Sequence, residues 1–158
     1  MLTAARGDPD AARSLLEDSL TGYQALQLHR FVALVQLSLG ELALAVGDTS
    51  LAEKMIHTSL TDMLAAHAAL DVPAALESSA DLAAATGHLE HAVRLAAAAA
   101  ARRAATGGRP WPDAQRRRDQ WLTTARLKLT EAEFSAAWTE GQRMTIDNVT
   151  LSPCRPAT

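Results

Sequence analysis

The same residue types recur every 40 positions along this chain, three times over. Four columns are identical: Leu2, Leu42 and Leu82; Ala5, Ala45 and Ala85; Gly7, Gly47 and Gly87; and Ala12, Ala52 and Ala92. Two further columns, at 15/55/95 and 20/60/100, keep apolar character without identity. A repeat of this length is typical of stacked helical hairpins, because a single hairpin cannot bury its apolar face alone. The repeat therefore predicts an array of hairpins, an architecture suited to binding.

The composition favours helices and gives no sign of a sheet. Hydrophobic residues make up 48% of the 158 residues and aromatic residues only 4%, while alanine is abundant. Alanine is the best helix former, and the β-branched residues never cluster into the alternating runs typical of strands. We therefore expect an all-α fold, a right-handed α-solenoid of tetratricopeptide-like helical hairpins with a C-terminal capping helix pair.

Local start and stop signals divide the chain into seven predicted helices. They begin at about residues 9, 30, 49, 71–73, 88, 113 and 130, and the first is expected to end near Leu28. Asp8 and Asp48 are suited to cap a helix start, and Gly47 is suited to the left-handed backbone of a helix end. Thr130 opens the last helix with a capping box. The second helix is apolar on almost every side, which predicts that it is buried at the centre of the stack.

A glycine- and proline-rich segment ends the repeats, so the chain divides into four predicted parts. Residues 1–106 carry the hairpin repeats of 40-residue period, and the first hairpin is incomplete. Residues 107–112 form a Gly/Pro loop, 113–144 a C-terminal helix pair, and 145–158 a tail expected to fray. Because the first repeat lacks most of its first helix, we expect uncovered apolar surface on the first two helices. Two explanations stay open: this chain is the tail of a longer array, or this face docks on a second copy.

Charge is unevenly spread along a chain whose formal net charge is −3. Residues 1–101 carry a net charge of −7, residues 102–128 of +6 and residues 129–158 of −2. The basic segment has two interpretations: contact with an anion or acidic partner, or solvated faces whose charges pair within the molecule. The candidate contact residues are Arg102, Arg103, Trp111, Arg116 and Arg117. Because the domain as a whole is acidic, its composition disfavours nucleic-acid binding by this chain alone.

The sequence contains no catalytic or metal-binding motif that we recognise. It has no G-x-S-x-G, H-E-x-x-H or P-loop sequence. His88 and His91 could face the same side of a helix, but the sequence places no third ligand to complete a zinc site. His88 is instead expected at a helix start and His91 at the surface. We therefore expect a non-catalytic protein that needs neither a metal nor a cofactor.

The cysteine content and the N-terminal residues bear on localisation. Cys154 is the single cysteine and cannot form an intrachain disulfide, which favours a reducing compartment. The N-terminus lacks the apolar region of a signal peptide, and the longest alanine run, residues 96–101, is too short to cross a bilayer. The sequence therefore predicts a cytoplasmic protein without membrane contact.

The C-terminal third carries a characteristic order of short motifs. They are R-L-A-A-A at 94–98, G-G-R-P-W-P at 107–112, three arginines at 116–118, L-T-E-A-E-F at 129–134 and A-W-T-E-G-Q at 137–142. This order resembles the C-terminal helical-repeat region of large actinobacterial ATP-binding transcriptional regulators, of LuxR or cyclase-linked type, over roughly residues 76–149. Neither the ATPase domain nor the helix-turn-helix of that family is found in this sequence. The resemblance implies a structural module that neither hydrolyses ATP nor binds an operator by itself.

The repeat, the charge pattern and the resemblance together predict a non-catalytic interaction or effector-sensing module of a transcriptional regulator. Its groove would bind a protein or peptide partner by helix-in-groove or extended-peptide docking. The alternative is a small-molecule-binding sensor domain, with a pocket between the repeats and the Trp111 loop, acting alone or as a homodimer. A homo-oligomer through the N-terminal repeat face is compatible with either. An open groove favours a peptide, whereas a closed apolar pocket favours a small ligand.

Overall fold

Seven α-helices and their short connections make up residues 8–145, which are the residues that the structure, a computed structural model, describes. In chain order the helices are α1 (Pro9–Ala25), α2 (His29–Ala45), α3 (Thr49–Ala65), α4 (Val72–Ala85), α5 (Leu89–Thr106), α6 (Pro112–Lys128) and α7 (Glu131–Arg143). No strand occurs between residues 8 and 145, so the expected all-α fold is confirmed. Leu2, Ala5, Gly7 and the predicted tail beyond Thr145, which includes Cys154, lie outside the described residues.

The 40-residue repeat of the sequence returns in the helix boundaries. The helices α1, α3 and α5 begin at Pro9, Thr49 and Leu89, each 40 residues after the last. The helices α2 and α4 end at Ala45 and Ala85, with the same spacing. Equivalent residues therefore occupy equivalent positions in successive helices, which allows the burial of a column to be compared from one repeat to the next.

Side-chain caps explain where three of the helices start. The carboxylates of Asp8 and Asp48 each accept a hydrogen bond from a backbone N–H in the first turn, as predicted. Thr130 forms the predicted capping box: its hydroxyl accepts from the N–H of Glu133, whose carboxylate accepts from the N–H of Thr130 at 2.8 Å. His88 occupies the cap position of α5 without a side-chain cap bond.

Four helix ends share one backbone motif. At the first glycine corner, the N–H of Gly47 donates to the carbonyl of Leu44 at 3.1 Å and that of Asp48 donates to Ala43 at 2.9 Å. This pair of bonds defines a Schellman motif, in which the residue after the helix takes a left-handed backbone. The same pair of bonds occurs at Gln27, His67 and Gly87. The predicted end of α1 near Leu28 was wrong by three residues, because Gln27, a non-glycine residue, takes the left-handed conformation with φ 55°.

Replacing Gln27 or His67 by glycine is expected to stabilise the protein by about 0.5–1 kcal/mol each, since glycine adopts φ values near +55° without the steric cost of a side chain. Gly47→Ala is the matched control and is expected to destabilise by about 1 kcal/mol, because its φ is +84°. Urea unfolding followed by circular dichroism measures all three. Equal stability of the three variants and the wild type would contradict the left-handed corners.

The chain divides into two compact units between Asp71 and Val72. In the N-terminal unit, α2 packs against both α1 and α3. The buried hydroxyl of Ser59 donates to the carbonyl of Ala33 at 2.7 Å, and a Cβ atom added at Gly40 would lie 2.6 Å from Cγ1 of Ile56. Later residues of α2 thus face earlier residues of α3, so the two helices form a close antiparallel hairpin.

The expectation that α2 is buried all round was wrong at both of its ends. Phe31 is 43% exposed and Val46, just beyond the last turn, is 59% exposed, whereas Leu37 and Leu42 are buried. The middle of α2 lies against two neighbouring helices, but its ends reach the corners, where the chain turns and no neighbour covers them. The apolar residues on every side of α2 therefore predict burial of the middle of the helix only.

In the C-terminal unit, α5 is the central helix and packs against α4, α6 and α7. Its alanine-rich sequence explains the position, because small side chains let backbones approach closely. A Cβ atom at Gly141 of α7 would overlap the carbonyl oxygen of Arg94 and lie 2.8 Å from Cβ of Ala97, both in α5. These contacts place the second half of α7 directly on the backbone of α5.

Aromatic residues complete the core of the C-terminal unit. Val93, Ala125, Phe134 and Ala137 are buried together, and the partly buried hydrophobic residues Leu89, Trp121, Leu122, Leu129 and Trp138 pack against them. The guanidinium of Arg126 lies 4.1 Å from the ring centroid of Phe134, a cation–π contact that covers the outer side of this ring. None of the helices between residues 8 and 145 is both long and apolar enough to cross a membrane.

Candidate partner-binding surfaces

The basic segment is largely committed to contacts within the C-terminal unit. Arg103 of α5 donates from Nε and Nη2 to the two carboxylate oxygens of Glu77 in α4, at 2.5 and 2.7 Å. The two side chains are only 13% and 9% exposed. A bidentate pair removed from water in this way joins α5 to α4 and is not available to a partner.

A second carboxylate of α4, one turn further on, holds α6. Nε of Arg117 donates to one oxygen of Asp81 at 2.9 Å, and Nε1 of Trp121 donates to the other at 2.8 Å. Burial raises the pKa of Asp81, against the opposing effect of the bonds from Arg117 and Trp121. Both oxygens of Asp81 are therefore used inside the unit, where they orient the N-terminal half of α6.

The other three candidate contact residues have different surroundings. Arg102 donates to the carbonyls of Ala98 and Met144, both at 3.3 Å, and burial lowers its pKa. Arg116 is exposed and pairs with Asp113 of the same helix, and Trp111 is exposed at the start of α6. The five candidates thus do not form one surface. Arg103 and Arg117 pair with carboxylates inside the unit, as one of the two interpretations of the basic segment predicted, while Arg116 and Trp111 are exposed.

Sequence reasoning did not identify Glu77 and Asp81 as the acceptors of these arginines. A signal was available in the repeat, because Glu77 shares its column with Leu37, which is buried in the N-terminal unit. A carboxylate at a buried column position needs a cationic partner. The surplus of arginines in residues 102–128 supplies such partners.

His88 lies just before α5, and His91 lies in its first turn. Nδ1 of His88 lies 3.1 Å from the hydroxyl of Thr86, while His91 is half-buried. No cluster of three or more histidine, cysteine, aspartate or glutamate side chains suited to a metal occurs among residues 8–145. Burial, followed by the nearby charges of Arg94 and His88, lowers the pKa of His91.

The lowered pKa of His91 predicts an acid-sensitive part of the stability. Below the unfolded value of 6.5 the unfolded chain binds a proton that the folded chain does not, so this contribution is present above pH 6.5 and is lost as the pH falls through the lower folded value. We expect the free energy of unfolding of the wild type to fall more steeply below pH 6.5 than that of His91→Gln. His57→Gln, at an exposed histidine of α3, is the control. Identical pH profiles for His91→Gln and the wild type would contradict the assignment.

One side of α1 carries exposed apolar side chains. Leu15, Asp18, Gly22 and Leu26 follow one another at spacings of three and four residues, so they lie on one side of the helix. All four are exposed, and each of the two leucines has 68% of its surface in solvent. We call these four residues the α1 outer face. Its exposure agrees with the apolar surface expected on the first two helices.

Two of these four columns are buried in α5. Leu95, which is equivalent to Leu15, is 5% exposed, and Ala98, which is equivalent to Asp18, is fully buried, whereas Thr106, which is equivalent to Leu26, is exposed. In α3 the equivalent Met55 is partly buried. The part of the α1 outer face at Leu15 and Asp18 thus corresponds to positions that the fold covers in α5, and it has no such cover among the described residues.

Further apolar side chains adjoin this face at the corner between α1 and α2. The rings of Tyr23 and Phe31 stack at a centroid distance of 5.2 Å, and Leu28 is also exposed. Arg30, in the first turn of α2, donates from Nε and Nη2 to the carboxylate of Asp71 at 2.6 and 3.0 Å. Exposed apolar residues grouped at a corner are typical of a binding surface.

The N-terminal unit, which carries the α1 outer face, is acidic. Residues 8–71 contain nine acidic and three basic residues. The only basic residue of α1, Arg13, donates to Glu17 at 2.8 Å, and Asp18 has no ion pair in the part of the chain that the structure describes. The face therefore combines exposed leucines with an uncompensated carboxylate.

Comparisons with protein-family models, with curated proteins and with solved structures found nothing that matches this chain. Its function must therefore be inferred from its own geometry.

Proposed function

We propose that this chain is a non-catalytic protein-binding module, built from tetratricopeptide-like hairpins that stack as an α-solenoid. The packing within the C-terminal unit supports this architecture: α4 contacts α6 and α5 contacts α7, so like helices of successive hairpins lie side by side. Contacts of Arg94 with Glu140 and of Arg102 with Met144 follow the same chain direction in α5 and α7. Side-by-side stacking of equivalent helices is the packing that repeat arrays use.

The observation that carries the functional proposal is the difference in burial within one repeat column. Leu15 is 68% exposed where Leu95 is 5% exposed, although both occupy the same position of equivalent helices. Exposed leucines aligned on one side of a helix mark a candidate surface for another protein to cover. The α1 outer face is therefore the proposed binding surface, and a helix is the natural ligand because helices cover the equivalent positions elsewhere in such arrays.

The proposed biological setting is a signal-transducing transcriptional regulator, where such a module receives a protein segment or effector signal. This part of the proposal rests on the motifs at residues 94–142 that resemble the helical-repeat region of those regulators. The exposed Trp111 and Arg116 offer a second, smaller contact point at the start of α6 for the same role.

Selection of helical peptides from a random displayed library against the folded chain tests the proposal. We expect ligands that bind the wild type and lose binding to the double variant Leu15→Ser/Leu26→Ser. Because both leucines are largely exposed, the double variant should retain the circular dichroism spectrum and the melting temperature of the wild type. Recovery of no ligand, or of ligands that bind wild type and variant equally, would refute the assignment of this face.

A further inference from the structure

We infer that the ligand of the α1 outer face is a basic amphipathic helix of a partner protein. This inference rests on the proposed function and adds the charge of the partner to it. It follows from the spacing of the two leucines, from the open backbone between them, and from the carboxylate that lies among them.

The α1 outer face has the dimensions of a short helix-packing site. Leu15 and Leu26 are separated by 11 residues, which is about three turns, or roughly 16 Å along the axis. Between them, a Cβ atom added at Gly22 would meet nothing within 4 Å. A second helix can therefore approach the backbone of α1 closely at Gly22 and place apolar residues over both leucines, as in ridges-into-grooves packing.

Charge selects among the helices that could fit. Asp18 lies between the two leucines on the same side of α1. Arg13 forms no ion pair with Asp18, because its guanidinium is engaged by Glu17. A lysine or arginine near the middle of the incoming helix would meet Asp18 at the edge of the apolar contact, where partial removal from water strengthens the attraction.

A second copy of this chain is a poorer occupant of the same face. Two α1 outer faces packed against each other would bring two Asp18 carboxylates into one interface, with no cation of either face between them. Like charges placed together across an interface oppose association. A symmetric dimer through this face therefore lacks the attraction to Asp18 that a basic helix provides.

A matched pair of synthetic peptides tests the charge of the partner. Both are 18-residue helices with leucines at the same positions of one face. At all positions that flank the leucines, one peptide carries lysine and the other carries glutamate. We expect the lysine peptide to bind about tenfold more tightly at low salt, and to lose most of this advantage in molar salt. Amide shifts in a ¹⁵N spectrum should locate binding at Leu15, Asp18 and Leu26.

Two charge reversals then assign the effect to one residue. Asp18→Lys should weaken binding of the lysine peptide about fivefold. Glu53→Lys makes the same change of charge at an exposed site of α3 and should leave binding within twofold of the wild type.

The possible outcomes separate the two proposals. If both peptides bind equally at the α1 outer face, the charge inference fails and the proposed function stands. If neither binds, both fail. If sedimentation shows that the chain self-associates and that Leu15→Ser abolishes this, the occupant is a second copy and the basic-helix inference is overturned.

Discussion

Glu77→Leu is expected to lower the free energy of unfolding of the C-terminal unit by about 3–5 kcal/mol. The substitution leaves the guanidinium of Arg103, which is 13% exposed, without its bidentate acceptor. A buried cation without a partner pays its desolvation cost in full, whereas the leucine gains little from a site shaped for a carboxylate. The effect is therefore far larger than that of an exposed pair such as Arg116 with Asp113, which contributes about 0–1 kcal/mol.

The double variant Glu77→Leu/Arg103→Met is the decisive control. With both charges replaced by apolar groups of similar size, we expect most of the lost stability to return, because replacing a whole buried pair is often neutral. Urea unfolding followed by tryptophan fluorescence reports on this unit alone, since Trp111, Trp121 and Trp138 are all the tryptophans of the chain and lie within it. If Glu77→Leu costs less than about 1 kcal/mol, the pair behaves as an exposed one.

The sequence was most informative where a residue acts on its own backbone. Asp8, Asp48 and Thr130 cap helices as predicted, and Gly47 takes the left-handed backbone expected of it. Each of these signals needs only a few neighbouring residues to act. The boundaries of most helices were accordingly predicted to within one or two residues, and the 40-residue period was recovered in the helix starts.

The failures had two different causes. Gln27 takes a left-handed backbone that its side chain disfavours, so no local signal placed the end of α1 before it. The pairing of Glu77 with Arg103 joins residues 26 positions apart, and no short motif contains both. Only the second outcome depends on packing between distant parts of the chain, since the pair of backbone bonds at the Gln27 corner reaches back no further than Tyr23.

The two candidate surfaces differ in how far the sequence could predict them. The exposed apolar surface of the first two helices followed from counting repeats, because an incomplete repeat leaves one face of the array without a neighbour. Which residues are exposed did not follow from the count, and Leu15 is one of them. The basic segment could not be assigned by counting charges, because the charge count does not tell which arginines turn inward. Arg103 and Arg117 contact the carboxylates of α4, so only geometry separates them from the exposed Arg116.

Gly141→Ala is expected to destabilise the C-terminal unit by about 2–4 kcal/mol, even though alanine is the better helix former by about 1 kcal/mol. The added methyl group would overlap the carbonyl oxygen of Arg94 and crowd the Cβ atom of Ala97. Both belong to α5, which is buried against α4 on its other side, so α5 cannot retreat and α7 must move away. That movement also separates Arg94 from Glu140, a second link between the two helices.

Gly22→Ala separates the cost of close packing from the general effect of the substitution. A Cβ atom at Gly22, in the exposed last turn of α1, meets nothing within 4 Å, so the same change should stabilise by about 0.5–1 kcal/mol through helix propensity alone. Circular dichroism measures both variants, and tryptophan fluorescence reports on a displacement of α7, because Trp138 packs against the core cluster that includes Val93 of α5. If Gly141→Ala matched Gly22→Ala in sign, α7 would not rest on the backbone of α5. The side-by-side stacking of α5 and α7, on which the solenoid proposal depends, would then lose its closest contact.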